Sequence, residues 1–235
     1  MIPILGVDAC KGGWICVGRD LASGSIFSSI YGSVNELLDG ISNPIIVAID
    51  IPIGLTESGP RECDLRARQM LGSPRSSSVF PAPLRPALDA TSRKEADEIT
   101  RSIDRKGVPA QAWGIYPRIR EVDLILRANP RVRRITYEVH RELSFMAWND
   151  HIPLGESKKT YDGMRMRSDL IESDYGREAR AKVRHEQPKK LAADDDIHDA
   201  FAALWTAERI YSGLAEMIPN SPRIDSEGLE MAMWY

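Results

Sequence analysis

Long apolar runs are missing from this chain. Its runs, such as residues 45–49, fall far short of the roughly 20 residues that a membrane-spanning helix needs, and no basic segment leads into an apolar one at the start. Membrane insertion and export are therefore not expected, and a cytoplasmic location is. Cysteine is scarce: Cys10, Cys16 and Cys63 are odd in number and form no CxxC pair, which leaves neither a disulfide framework nor a structural zinc site. Neither sign of charge dominates, with 31 Lys plus Arg against 34 Asp plus Glu, so the whole protein lacks the field of a dedicated nucleic-acid coat protein. Gly12-Gly13 has no Lys-Ser/Thr ending behind it, which excludes a P-loop. No internal repeat or low-complexity tract is present. What remains is a globular composition, 43% hydrophobic and 28% charged over 235 residues, sufficient for a single domain with one core and an inserted lobe.

The pattern of apolar residues predicts an α/β fold. Residues 2–8, 14–17 and 26–31 have strand composition around turns at Gly12-Gly13 and Ser23-Gly24, as in an antiparallel three-stranded meander. Ser33, with Glu36 three residues on, can cap a short helix over 34–41. The apolar run 45–49 reads as a strand covered on both faces, parallel to the first and joined to it by a right-handed crossover. From about 60 to 131 the sequence becomes helical, broken by a Ser- and Pro-rich loop over 76–86, which suggests an insertion or lobe. Residues 134–139 suit a further strand, 169–183 a loose helix, and 195–217 the strongest helix of the chain.

This arrangement sends two acids, Asp8 and Asp50, to the carboxyl edge of the sheet, where ligand crevices of open α/β sheets form. On the last helix, Asp196, Asp199, Ala200, Ala203 and Ala207 share a stripe, and the alanines allow it to approach a sheet closely. Asp195 lies about 100° from Asp196 and suits a cap or a flanking ligand, so Asp196 and Asp199 are the expected pair. Four carboxylates in a small volume disfavour joint ionisation unless cations neutralise them. Their hard oxygens suit Mg²⁺ or Mn²⁺, and two such ions can clamp the attacking and leaving oxygens of a phosphoryl displacement. The bland alternative is that these acids stabilise a helix start and cap turns.

Other groups could assist. Glu138 and His140 share one face of the strand candidate by period two; Glu138 could act as a ligand and His140 could shuttle a proton. Arg61, Asp64 and Arg68 are spaced at three and four, so they either pair or present two guanidinium groups to phosphate. Ser77 and Ser78 could donate to an anion or simply pack a turn, and Lys158 and Lys159 could contact phosphate or line a solvated loop. Trp113 and Tyr116 suit base stacking or, more simply, core packing. The basic clusters over 118–134 and 158–190 suggest local positive surface, or a solvated face of alternating charge.

Several segments, in order, carry a family resemblance: Gly6-Val7-Asp8-Ala9-Cys10-Lys11-Gly12-Gly13-Trp14, Ala48-Ile49-Asp50-Ile51-Pro52-Ile53-Gly54-Leu55, Arg61-Glu62-Cys63-Asp64, Ser77-Ser78-Val79-Phe80-Pro81, Lys158-Lys159-Thr160 and Asp195-Asp196-Ile197-His198-Asp199-Ala200. Together they resemble an uncharacterised family of predicted ribonuclease H-like nucleases, over most of the chain. The 196–200 segment is also similar to the final catalytic helix of Holliday-junction resolvases of the ribonuclease H superfamily. The resemblance implies a ribonuclease H-like mixed sheet flanked by helices, with Asp8, Asp50, Asp196 and Asp199 as the metal-binding set. One departure stands out: the chain has His140-Arg141-Glu142 where the family pattern has His-Pro-Glu, leaving the roles of His140 and Glu142 open.

The leading expectation is a nuclease acting on DNA or RNA, with basic residues of the insertion holding the strand. The alternatives are a non-catalytic binding or scaffold module whose acids are held by arginines and lysines, and an actin-like or sugar-kinase-like phosphotransfer enzyme. The last would need two such domains. Trp234-Tyr235 could pack on a partner subunit, giving a homo-oligomer, or on the chain's own core.

Overall fold

The computed structural model describes residues 1–235, and they divide into two compact units. The sheet unit comprises Met1–Ile51, Ile135–Glu216 and Trp234–Tyr235, and the helical unit comprises Pro52–Arg134 and Met217–Met233. No helix is long and apolar enough to cross a membrane.

The sheet unit begins with the expected meander, β1 (Pro3–Cys10), β2 (Gly13–Asp20) and β3 (Ile26–Tyr31), all antiparallel neighbours. Cys10 pairs with Gly13, whose φ of 125° is open to glycine at little cost, so the first hairpin turns tightly there. Asp20 fastens the second turn by accepting from the Ile2 and Ala22 amides and the Ser23 hydroxyl. In α1 (Val34–Gly40) the Ser33 hydroxyl accepts from the Glu36 amide, while the Glu36 carboxylate accepts from the Gly32 amide. The chain then enters β4 (Ile46–Ile49), buried throughout and parallel to β1, as its unbroken apolar composition requires.

The helical unit starts at Pro52, earlier than the change of composition near residue 60 suggests. It contains α2 (Glu62–Arg75), α3 (Arg93–Asp104), α4 (Ala110–Ala128) and most of α5 (Pro130–Ile135). Its charges are largely matched inside. Arg85 bridges Asp123 at 2.6 Å and Asp225, and Arg120 donates to the Leu88 and Ala90 carbonyls. Arg127 pairs with Glu227 at 2.7 Å, and Arg118 lies 3.6 Å from Glu121. Much of the basic cluster expected over 118–134 is therefore committed within this unit.

Back in the sheet unit, β5 (Thr136–Glu138) adds parallel to β4, completing a mixed five-stranded sheet of order β3-β2-β1-β4-β5. The helices α6 (Arg141–Trp148), α7 (Tyr161–Glu186) and α8 (Asp194–Tyr211) follow. The looseness anticipated in α7 is a break at Gly176, whose φ is 81°. α8 stops earlier than its sequence pattern suggests, because Gly213 turns the chain at φ 69° toward the hairpin of β6 (Met217–Ile224) and β7 (Glu230–Trp234), which, but for Trp234, belongs to the helical unit. Trp234 packs edge-on against Tyr137, with ring centroids 5.4 Å apart, and Tyr235 is buried, so the terminus joins the chain's own core.

α8 lies directly on β1. A Cβ on Gly6 would come within 2.3 Å of the Ala200 carbonyl oxygen and 2.1 Å of the Leu204 amide nitrogen, so only glycine admits the helix. Ala200, Ala203 and Ala207 are fully buried on this side with Ile4, Ala48 and Phe201. The small-residue stripe legible in the sequence is thus the contact that sets the depth of the helix, and with it the position of the acids in its first turns.

Candidate functional site

Side-chain alternation places two acids on the helix-covered face. Ile4 and Gly6 align with Ile46 and Ala48, so Asp8 and Asp50, one alternation further on, emerge on the face that meets α8. Asp199 precedes Ala200 on that helix and is only 1% exposed. The three carboxylates lie close enough to act on one another: burial, then Asp199 and Asp50, drive the pKa of Asp8 well above the carboxylate range. Burial raises Asp199 to about 6, against the opposing pull of Lys158 and Arg141.

Two cations from α6 and the loop before α7 enter the same space. Arg141 donates from Nη1 to Asp50 Oδ2 at 2.9 Å, and its Nε is 3.4 Å from Asp199 Oδ2. Lys158 Nζ lies 2.6 Å from Asp199 Oδ2 and 3.1 Å from Asp195 Oδ2. Burial alone would raise Asp50, but the charges of Arg141 and His140 outweigh it and hold this carboxyl below its usual value. Conversely, burial opposes the charge on Arg141 and Lys158, and the surrounding carboxylates more than restore it. Three acids thus face two permanently charged bases, with His140 as a third cation whenever it is protonated. Asp8 has no ion pair of its own, and Asp199 Oδ1 is buried without a hydrogen-bond partner.

The remaining residues expected at a site fall elsewhere. Asp196 accepts from the Ala193 amide at 2.9 Å and closes the start of α8, whereas Asp195 joins the cluster through Lys158 and pairs with Lys159 at 2.7 Å. Asp196 thus caps the helix instead of joining the acids, and Asp195 takes the flanking place, because residues 195 and 199 share a helix face at four-residue spacing and the amide end needs a cap. Glu138 aligns with Ile49 and Val7 and therefore leaves the sheet on the face opposite Asp8 and Asp50. His140 does not continue that alternation. The strand ends before it, and it precedes α6 close enough for its charge to act on Asp50.

Within the helical unit, Arg61 is buried and grips Asp64 through two nitrogens, at 2.6 and 3.2 Å, while Nη1 donates to the Ile53 carbonyl. The pairing alternative holds for Arg61, then, rather than a presented phosphate contact. Arg68 donates to the Val79 carbonyl, and the Ser77 and Ser78 hydroxyls donate to the Pro74 and Arg75 carbonyls, fastening their own turn. Trp113 and Tyr116 pack at a centroid distance of 4.9 Å in a small apolar cluster.

The residue that sequence reasoning missed is Arg141. Its only signal is that it stands where the family pattern has proline, and that signal marks a change of backbone rather than a guanidinium in the acid cluster. Glu142, beside it, makes a buried two-point ion pair with Arg167, both contacts at 2.9 Å, and so ties α6 to α7.

The chain belongs to the family described as protein of unknown function (DUF429), whose model matches residues 6–224. No curated protein and no solved structure matches it.

Proposed function

We propose that this member of the family is a metal-dependent phosphodiesterase of ribonuclease H-like architecture, hydrolysing DNA or RNA at Asp8, Asp50 and Asp199. The observation that carries the reading is the surplus of buried carboxylate: three acids against two permanently charged bases, with Asp8 unpaired and one oxygen of Asp199 without a partner. A divalent cation relieves that surplus. The strand order, with two acids at the carboxyl edge of the parallel pair and the third on a helix laid across it, also supports the ribonuclease H-like assignment.

The chemistry of these donors suits the metal. It offers hard carboxylate oxygens with no competing sulfur or imidazole among the three ligands, the chemistry that suits Mg²⁺ or Mn²⁺. Asp8, Asp50 and Asp199 would hold the ion, or a pair of ions, with Asp195 flanking. When bound, the metal supplies charge neutralisation at a phosphate and a more acidic water. Arg141 and Lys158 keep their protons because the acids surround them, so they can face phosphate oxygens as fixed positive charges. His140, felt electrostatically by Asp50, is the residue that we assign to proton transfer.

The test is cleavage of plain and branched DNA and RNA with Mg²⁺ or Mn²⁺, alongside Asp8→Asn. Wild-type cleavage lost in the variant supports the reading; equal cleavage in both dismisses it. A second reading, a binding module without catalysis, is favoured by the ion pairs that Asp50, Asp195 and Asp199 already make. It predicts retention of nucleic acid without cleavage and without any response to metal.

A further inference from the structure

The helical unit contains a cavity of about 420 Å³ among α2, the end of α3 and the start of α4. That volume is near the lower end of small-molecule sites, about 300–1,000 Å³. Leu65, Leu84 and Ala112 give it apolar walls, and Leu65 is 47% exposed despite its apolar side chain.

Its polar groups are of two kinds. Tyr116 is buried to 2% exposure and its hydroxyl makes no hydrogen bond; burial pushes its pKa up to about 12, so it remains a donor at neutral pH. The Thr100 hydroxyl, at the edge of the cavity, is fully buried with no partner. A desolvated hydroxyl without an acceptor is a cost that a ligand oxygen removes.

The charges on the wall do not cancel. Both Asp64 oxygens are taken by Arg61, and Asp104 accepts from the Gly59 amide at 2.8 Å. Lys106 makes no ion pair, and Arg68 spends one nitrogen on the Val79 carbonyl. With Asp64 neutralised by Arg61, the two cations against Asp104 leave one positive charge in excess.

We propose that this cavity binds a small organic monoacid, its apolar body against Leu65, Leu84 and Ala112 and its carboxylate held by the Tyr116 hydroxyl with Arg68 and Lys106. The site lies apart in sequence from the carboxylate cluster and does not depend on what that cluster does.

The experiment is calorimetric titration of the full chain with 2-naphthoate and octanoate, with 2-naphthamide and octanamide as neutral counterparts and inorganic phosphate as the anion lacking an apolar body. At least one carboxylate binds saturably, and its amide binds about tenfold or more weaker, a difference of one charge-assisted contact. Phosphate gives no saturable heat. Ala112→Leu, which fills the cavity, abolishes binding, while the exposed Lys106→Gln weakens it about five- to tenfold and leaves the fold intact, so loss of binding cannot be mistaken for unfolding. Absence of binding by both carboxylates at about 5 mM, amides binding equally well, or Ala112→Leu binding as the wild type does would overturn the proposal.

Discussion

Two groups of buried charge in this molecule are built on opposite principles. In the helical unit Arg85 sits between Asp123 and Asp225, and Arg61 closes on Asp64 with two nitrogens and gives a third to a backbone carbonyl. In these two clusters each base has an acid and each acid a base. In the sheet unit Asp8, Asp50 and Asp199 outnumber Arg141 and Lys158, and the excess is concentrated in Asp8, which has none of the hydrogen bonds that satisfy Asp225. Matched pairs hold a fold in register. A surplus of like charge weakens the fold where it stands, and persists where something else uses it.

The largest effect is expected at Arg85. Arg85→Met leaves Asp123 and Asp225 buried without their shared partner, and urea denaturation should record a loss of about 3 kcal/mol or more. A loss under about 1 kcal/mol would mean that the pairs are not what holds this unit.

Asp8→Asn should move the other way. It removes the unpaired charge, so the metal-free protein should melt about 2–4 °C higher at pH 7.5, the shift that 1 kcal/mol gives a chain of this length. The sign follows from the raised pKa: the folded state holds the proton more tightly than the unfolded chain, so this group costs stability as pH rises from the ordinary carboxylate range through its folded value. The gap between variant and wild type should therefore widen with rising pH and close below about pH 4. A gap that is constant with pH contradicts the assignment of the surplus to Asp8.

Lys158→Met sharpens the same contrast from the basic side. It frees both Asp199 and Asp195 of a cation, and Mn²⁺ affinity should tighten by about tenfold even as the metal-free protein loses stability. Unchanged affinity would place Lys158 outside the metal's competition. The smallest effect belongs to Asp196→Ala, which loses only the contact with the Ala193 amide: about 1 kcal/mol in stability, with Mn²⁺ affinity untouched.

How much of this could be read from the sequence depends on which physical rule governs each residue. The meander, the buried parallel strand and the close-packed helix follow from local periodicity, and so does the delivery of Asp8 and Asp50 to one sheet edge. Asp199 was legible for the same reason, since the alanines after it require a close approach, which Gly6 completes. The choice between Asp195 and Asp196 was not. It turns on which acid closes the amide end of α8, a competition between two adjacent residues that angular spacing leaves open. Glu138 was misplaced by one alternation, because strand register is a tertiary fact, and His140 because the strand ends one residue sooner than its composition suggests. Arg141 lies 91 residues from Asp50 and has no periodic relation to it, so its insertion among the acids had no local signal at all. The hairpin of β6 and β7 went unread for a similar reason: Gly213 ends α8 where the apolar pattern would carry it to residue 217.

The most direct measurement is a Mn²⁺ titration of the metal-free protein followed by electron paramagnetic resonance of the free ion, run on wild type and Asp8→Asn. The wild type should capture the ion saturably at pH 7.5, more weakly as pH falls through about 6 with the protonation of Asp199, and the variant should not capture it. Capture that is equal in the two proteins, or absent from both, would contradict it.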